Sequence, residues 1–211
     1  MNKQMMILSI LVITLITSSA QSSITIATFA DPTENSSTPL FTIDFTAGTN
    51  GVINGGWMGT ELDLHVLSSA TYQDAKFSVT DVNLTAVTNP LFGTETEGGT
   101  ITFYESDMTE LLQIEFDSAW FTILGVGAIE DAVLQSNNVT ITGAALGGMV
   151  LSEESFAFSF TNHVPLEGDF GIGFTTTAAL TSSAIPEPAT MVLLGLGAMF
   201  LKLNRRKTAG K

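Results

Sequence analysis

Cysteine is absent from the 211-residue chain. Disulfide scaffolds, zinc fingers, iron–sulfur sites and cysteine nucleophiles are therefore closed to it. Basic residues are scarce: seven Lys plus Arg stand against 21 Asp plus Glu, for a formal net charge of −14. A nucleic-acid partner is not expected, because phosphate recognition needs a basic face. Histidine, tryptophan and tyrosine occur twice each. The few cations are also grouped. Lys202, Arg205, Arg206, Lys207 and Lys211 lie in the last ten positions, Lys3 lies at the start, and Lys76 alone lies between. What is there, then, is an acidic body between two basic-tagged ends.

Residues 1–20 follow the order of a secretory signal peptide. Lys3 is the positive n-region, Met5 to Ile16 is apolar apart from Ser9 and Thr14, and Ser18-Ser19-Ala20 places small residues before a cleavage point between Ala20 and Gln21. The apolar run of about 12 residues is well short of the roughly 20 that span a bilayer as a helix. The expected first partner is the Sec export machinery. Export leads to an oxidising compartment, where this fold must be held without disulfides.

The C-terminal end has three parts in order. Pro186-Glu187-Pro188 restricts the backbone. Met191 to Leu201 is uncharged and apolar, with Gly195 and Gly197 inside it. Arg205-Arg206-Lys207 then forms a stop-transfer cluster, which the positive-inside rule keeps cytoplasmic while the body faces outward. A single transmembrane helix is expected over about 189–203. The span is short: Pro188 to Leu203 is 16 residues, about 24 Å as helix. Lys202 would have to snorkel. Such a span suits an anchor held briefly and then cut.

Those three ordered features, Pro186-Glu187-Pro188-Ala189-Thr190, the glycine-containing apolar segment and Arg205-Arg206-Lys207, resemble the PEP-CTERM protein-sorting signal of Gram-negative bacteria. Some family models label the same region an ice-binding protein C-terminal domain. The resemblance covers about 25 residues, Ile185 to Lys207. It implies processing by an exosortase, a membrane cysteine protease-transpeptidase, with Pro186, Glu187 and Pro188 as its recognition element and this protein as its substrate. It also implies an association with extracellular polysaccharide and biofilm. The ice-binding label belongs to the shared tail and describes nothing in the body.

The body, residues 21–178, is expected to be all-β, an antiparallel β-sandwich or jelly roll. Phe41, Ile43 and Phe45 alternate with Thr42, Asp44 and Thr46; Leu62, Leu64 and Val66 with Glu61, Asp63 and His65; Leu112, Ile114 and Phe116 with Gln113, Glu115 and Asp117. Phe156, Phe158 and Phe160 form another such row, as do Phe170, Ile172 and Phe174. This is the period of half-buried strands. Ile24–Phe29, Ala75–Thr85, Thr100–Tyr104, Ala119–Leu124 and Val139–Thr142 add further strands. Asn50-Gly51, Asn54-Gly55-Gly56, Asn89-Pro90, Gly98-Gly99 and Gly147-Gly148 supply turns. Nine or ten strands result, with a short helix allowed only in Leu124 to Leu134. Residues 30–39 are expected as a loop, and 179–185 as a tether to the sorting signal at 186–211.

No G-x-S-x-G, H-E-x-x-H, Walker loop or G-x-G-x-x-G occurs, so no catalytic residue is assigned and an enzyme is not expected. His65 and His163 have no motif around them. Glu61/Asp63, Glu95/Glu97, Glu105/Asp107, Glu115/Asp117 and Glu167/Asp169 are spaced i, i+2, and Glu153/Glu154 are adjacent. Such pairs could seat a structural Ca²⁺ or a glycosidase acid and base. No Ca²⁺ loop motif accompanies them, and no metal residue is assigned. Thr-x-Thr at 94–96, 100–102, 140–142 and 175–177 lacks the fixed period an ice-binding face needs. The sequence points to an exported surface or matrix protein, with a carbohydrate-binding module, Ca²⁺-assisted in one form, as the alternative, and a polysaccharide-acting enzyme or an ice-binding protein as weaker readings. In that alternative Trp57, beside Gly55 and Gly56, is the exposed aromatic platform, and Trp120, in an apolar strand, belongs to the core.

Overall fold

The computed structural model describes residues 22–32, 38–67, 69–85, 93–124 and 131–186. The expected signal helix, the Ala20–Gln21 junction and the 189–203 span all lie outside them. Fourteen strands and one short 3-10 turn (Ala144–Leu146) occur among the described residues, with no α-helix. The strand pattern follows side-chain parity. In β2 (Phe41–Asp44), Phe41 and Ile43 are buried between half-exposed partners. In β4 (Leu64–Val66) the two apolar residues flank exposed His65. In β9 (Glu110–Phe116), Leu112, Ile114 and Phe116 face inward.

The strands form one curled antiparallel sheet. From one edge it runs β12 (Val139–Thr142), β9, β8 (Gly99–Tyr104), β6 (Lys76–Asn83), β3 (Val52–Trp57), β2, β14 (Asp169–Pro186), β13 (Leu151–Leu166), β11 (Asp131–Ser136), β10 (Ala119–Leu124) and β7 (Thr94–Thr96). The curl returns β7 to the end of β6. Leu84 bridges Thr96, Thr85 N–H donates to Glu95 O at 3.0 Å, and Glu97 N–H donates to Asn83 O at 2.8 Å. The expected sandwich is thus one continuous ladder rather than two sheets that meet through side chains alone. The long strands β13 and β14, of 16 and 18 residues, make that continuity possible.

β1 (Ile24–Phe29) pairs with β14 and with β4, and β4 pairs with β5 (Ala70–Tyr72). β14 therefore serves two neighbours on one edge: Gly173–Thr176 oppose β2, and Leu180–Ala184 oppose β1. This corrects the tether expected at 179–185. Those residues continue β14, with Leu180, Ser182 and Ala184 buried. Small residues are chosen there because they face inward beside β1; by composition alone they read as a linker. Ser182 Oγ accepts from Ala27 N–H at 3.0 Å and donates to Ala27 O at 3.2 Å, where the ladder bulges between Thr25 and Ala27.

A second correction concerns the C-terminal part of Leu124 to Leu134, where a short helix was allowed; residues 125–130 lie outside the described residues. Asp131–Ser136 is strand β11, with Ala132, Leu134 and Ser136 buried and Gln135 exposed. That alternation is the period of a strand. A third concerns Asn54-Gly55-Gly56, expected as a turn and found inside β3. Gly55 lies opposite Phe41 in the ladder. A Cβ at position 55 would overlap the Phe41 ring, so the glycine is required by close approach of an aromatic ring.

Phenylalanine fills the interior. Phe41 meets Phe158 at 4.9 Å and Phe160 at 5.0 Å, both edge-on. Phe77 meets Phe29 at 5.3 Å and Phe103 at 5.8 Å. Edge-to-face pairs of this kind add about 0.5–1.5 kcal/mol beyond burial. No disulfide assists them, since the chain has no cysteine.

Candidate functional site

The sorting motif begins where the sheet ends. Pro186 is the last residue of β14, and Ser152 Oγ of β13 donates to Ile185 O at 3.2 Å. The body is therefore hydrogen-bonded up to the residue before the motif. Glu187, Pro188, Arg205, Arg206 and Lys207 lie outside the described residues.

On the body, the two histidines are on separate strands. His65 is exposed on β4, with Nδ1 2.9 Å from Thr71 Oγ1. His163, on β13, is half-buried and edge-on to Phe174 at 4.9 Å. Carboxylates also take separate local duties. Asp44 Oδ1 accepts from Thr46 Oγ1 and Thr46 N–H, both at 2.7 Å, and from Ala47 N–H at 3.1 Å. The Thr46 hydroxyl and amide bonds hold the Asp44 carboxyl below its usual value. Thr109 N–H does the same for Asp107, at 2.9 Å. Glu154 is opposite: burial raises its pKa, although its Oε2 accepts from Ile141 N–H at 3.2 Å. Among the described residues, no group of three or more His, Asp or Glu is placed to hold a metal ion.

The tryptophans reverse their expected places. Trp57 is half-buried against the core, and its indole N–H donates to Thr60 O at 3.1 Å. Trp120 is 46% exposed. The reason is parity on β10. Ala119, Phe121 and Ile123 are buried, so Trp120 and Thr122 must point outward. An apolar strand was the misleading signal; the alternation of Ala119, Phe121 and Ile123 was the useful one.

Trp120 is the centre of a three-strand row. Glu95 of β7 stands opposite it on one side and Gln135 of β11 on the other. All three are exposed. Residues directly opposite on an antiparallel pair share one face. With Asn137 and Asn138 they line a depression of about 300 Å³. Its floor is fixed by hydrogen bonds. Ser136 Oγ donates to Ser118 O at 2.7 Å and accepts from Asn138 N–H at 3.2 Å; Asn138 Nδ2 donates to Asp117 Oδ2 at 3.1 Å. Ala119 N–H donates to Thr96 Oγ1 at 3.1 Å, tying β10 to β7. Asn138 also lines a second depression of about 310 Å³, with Thr100, Glu115, Asp117 and Thr140. The sequence held no cue to this assembly, since its members come from six strands, β7 to β12, and two turns.

Residues 184–207 match the family model of the PEP-CTERM protein-sorting motif. Comparison with curated proteins and with solved structures gave no match. The motif marks the chain as an exosortase substrate that is exported and processed to the cell surface.

Proposed function

We propose that the chain is a surface or extracellular-matrix protein whose acidic β body associates with extracellular polysaccharide and has no catalytic role. The precursor is exported by the Sec machinery and cleaved between Ala20 and Gln21. It is held in the membrane by residues 189–203, with Arg205, Arg206 and Lys207 on the cytoplasmic side. Exosortase then acts at Pro186-Glu187-Pro188. One observation carries this reading: the match at residues 184–207 begins at the very end of the last strand. Everything after that strand is address, and the body from Gln21 up to it is cargo. The delivered product has one Lys against 21 carboxylates, a net charge of −20.

The test is mass spectrometry of protein recovered from the cell surface. The mature form should begin near Gln21 and lack Arg205-Arg206-Lys207. Recovery of an intact tail on surface protein would refute processing. The exposed Trp120 face favours a second reading, direct saccharide binding by the body.

A further inference from the structure

We infer that the Trp120 face is a binding site for the pyranose rings of a neutral polysaccharide; the inference rests on the reading that the body works among extracellular polysaccharide.

An aromatic ring offers an apolar surface to the C–H face of a sugar, and polar side chains around it take up the ring hydroxyls. The row Glu95–Trp120–Gln135 has that composition. Glu95 brings two acceptor oxygens, and Gln135 and Asn137 bring amides that both donate and accept. Neighbouring side chains of such a row stand about 5 Å apart, so the row spans roughly 10 Å.

The Nε1 edge of the indole lies close to Gly93. A Cβ at position 93 would come within 2.6 Å of Trp120 Nε1 and 3.0 Å of Thr122 Oγ1. Gly93, at φ +86, thus leaves the space that the Nε1 edge of the ring occupies. Trp120 contributes little to the core, whose share of β10 is taken by Ala119, Phe121 and Ile123. An exposed aromatic on a hydrogen-bonded floor, with only two side-chain torsions to fix, loses little freedom when a ligand stacks on it.

Charge selects among sugars. Glu95 lies in the first depression, and Glu115 and Asp117 in the second. No Lys or Arg other than Lys76 occurs between Gln21 and Pro188. Lys76 Nζ is engaged with Ser106 O at 2.8 Å. Uronate or sulfated polymers would meet like charge there. The same repulsion opposes a second copy of this acidic chain. Uncharged sugars do not suffer it. Because Asn138 borders both depressions, consecutive rings of one chain can occupy them, which makes an oligosaccharide a better ligand than a monosaccharide.

The test uses the full chain in a zwitterionic detergent that carries no sugar. Titration calorimetry would be run with cellohexaose, laminarihexaose and mannohexaose, and with polygalacturonate as the anionic control. At least one neutral hexaose should bind, its monosaccharide more weakly, and polygalacturonate not at all. Trp120→Ala should weaken binding about tenfold or more, with the melting temperature unchanged. Gln135→Ala should weaken it severalfold, and this second variant decides the matter if Trp120→Ala folds poorly. His65→Ala should bind as wild type. No binding to any neutral hexaose, equal binding by Trp120→Ala, stronger binding to polygalacturonate, or self-association lost in Trp120→Ala would each overturn the site. Tail removal is read separately by mass spectrometry, so failure of sorting and failure of the site are distinguishable.

Discussion

The backbone N–H of Ala27 donates to Ser182 Oγ at 3.0 Å, across 155 residues of chain. The first strand after the expected signal peptide is thus stitched to the last strand before the sorting motif. This part of the ladder cannot form until both ends of the body are present. Long-range closure of this kind is slow and favours folding after the whole body has been translocated.

Ser182→Ala removes both hydrogen bonds to Ala27 and leaves that N–H unpaired in a buried place. A loss of about 1–3 kcal/mol is expected, read as a lower denaturation midpoint with unchanged slope.

Deleting residues 179–185 should unfold the body or leave it protease-sensitive, because these residues are the half of β14 that pairs with β1. Inserting a flexible Gly-Ser segment between Pro186 and Glu187, just after β14 ends, should leave stability unaltered. Limited proteolysis of both variants checks the pair. A deletion as resistant as wild type would restore the tether.

Gly55→Ala places a methyl group in the Phe41 ring. Overpacking of this kind costs about 1–3 kcal/mol, measurable by thermal melting. An unchanged melting temperature would mean that the ring can move away without loss.

Burial holds the folded-state pKa of Glu154 above its ordinary 4.5. The folded state therefore binds that proton more tightly than the unfolded chain does. The resulting stabilisation is present below about pH 4.5 and is lost as pH rises through the elevated folded value. Glu154→Gln retains an acceptor oxygen for Ile141 N–H and should flatten this dependence, gaining stability at pH 7 relative to wild type. Unfolding free energies from pH 3 to 8 test the sign.

Asp44 behaves oppositely. Its folded pKa lies below 3.8 because Thr46 and Ala47 bond the carboxylate. Its contribution is present above pH 3.8 and is lost as pH falls through the depressed value. Asp44→Asn should weaken the turn after β2 at neutral pH and lose less on acidification. The same pH series on the variant reports it.

Much of the fold was legible because parity is local. Ala119–Leu124 and Val139–Thr142 begin and end where their alternation does, and Ile24–Phe29 keeps its expected bounds despite its bulge. The departures have a common origin in partners distant in sequence. Gly55 looks like a turn until Phe41 is laid across it. Ser182 and Ala184 look like linker until β1 stands beside them. Trp120 looks like core until Ala119 and Phe121 claim the inner face. The sorting motif was readable because its parts are consecutive. The Trp120 face was not, because register across β7, β10 and β11 assembles it.

Glu154 has a consequence at the rim of the sheet. β12 is the last strand in its direction, and Ile141 N–H there is occupied by Glu154 Oε2 at 3.2 Å. An open rim invites another chain to add as the next strand. A carboxylate clasping that amide, on a chain with 21 Asp plus Glu against seven Lys plus Arg, opposes such addition at this rim. Crowded in a surface coat, such copies are expected to pack as separate grains and not to grow into threads through β12.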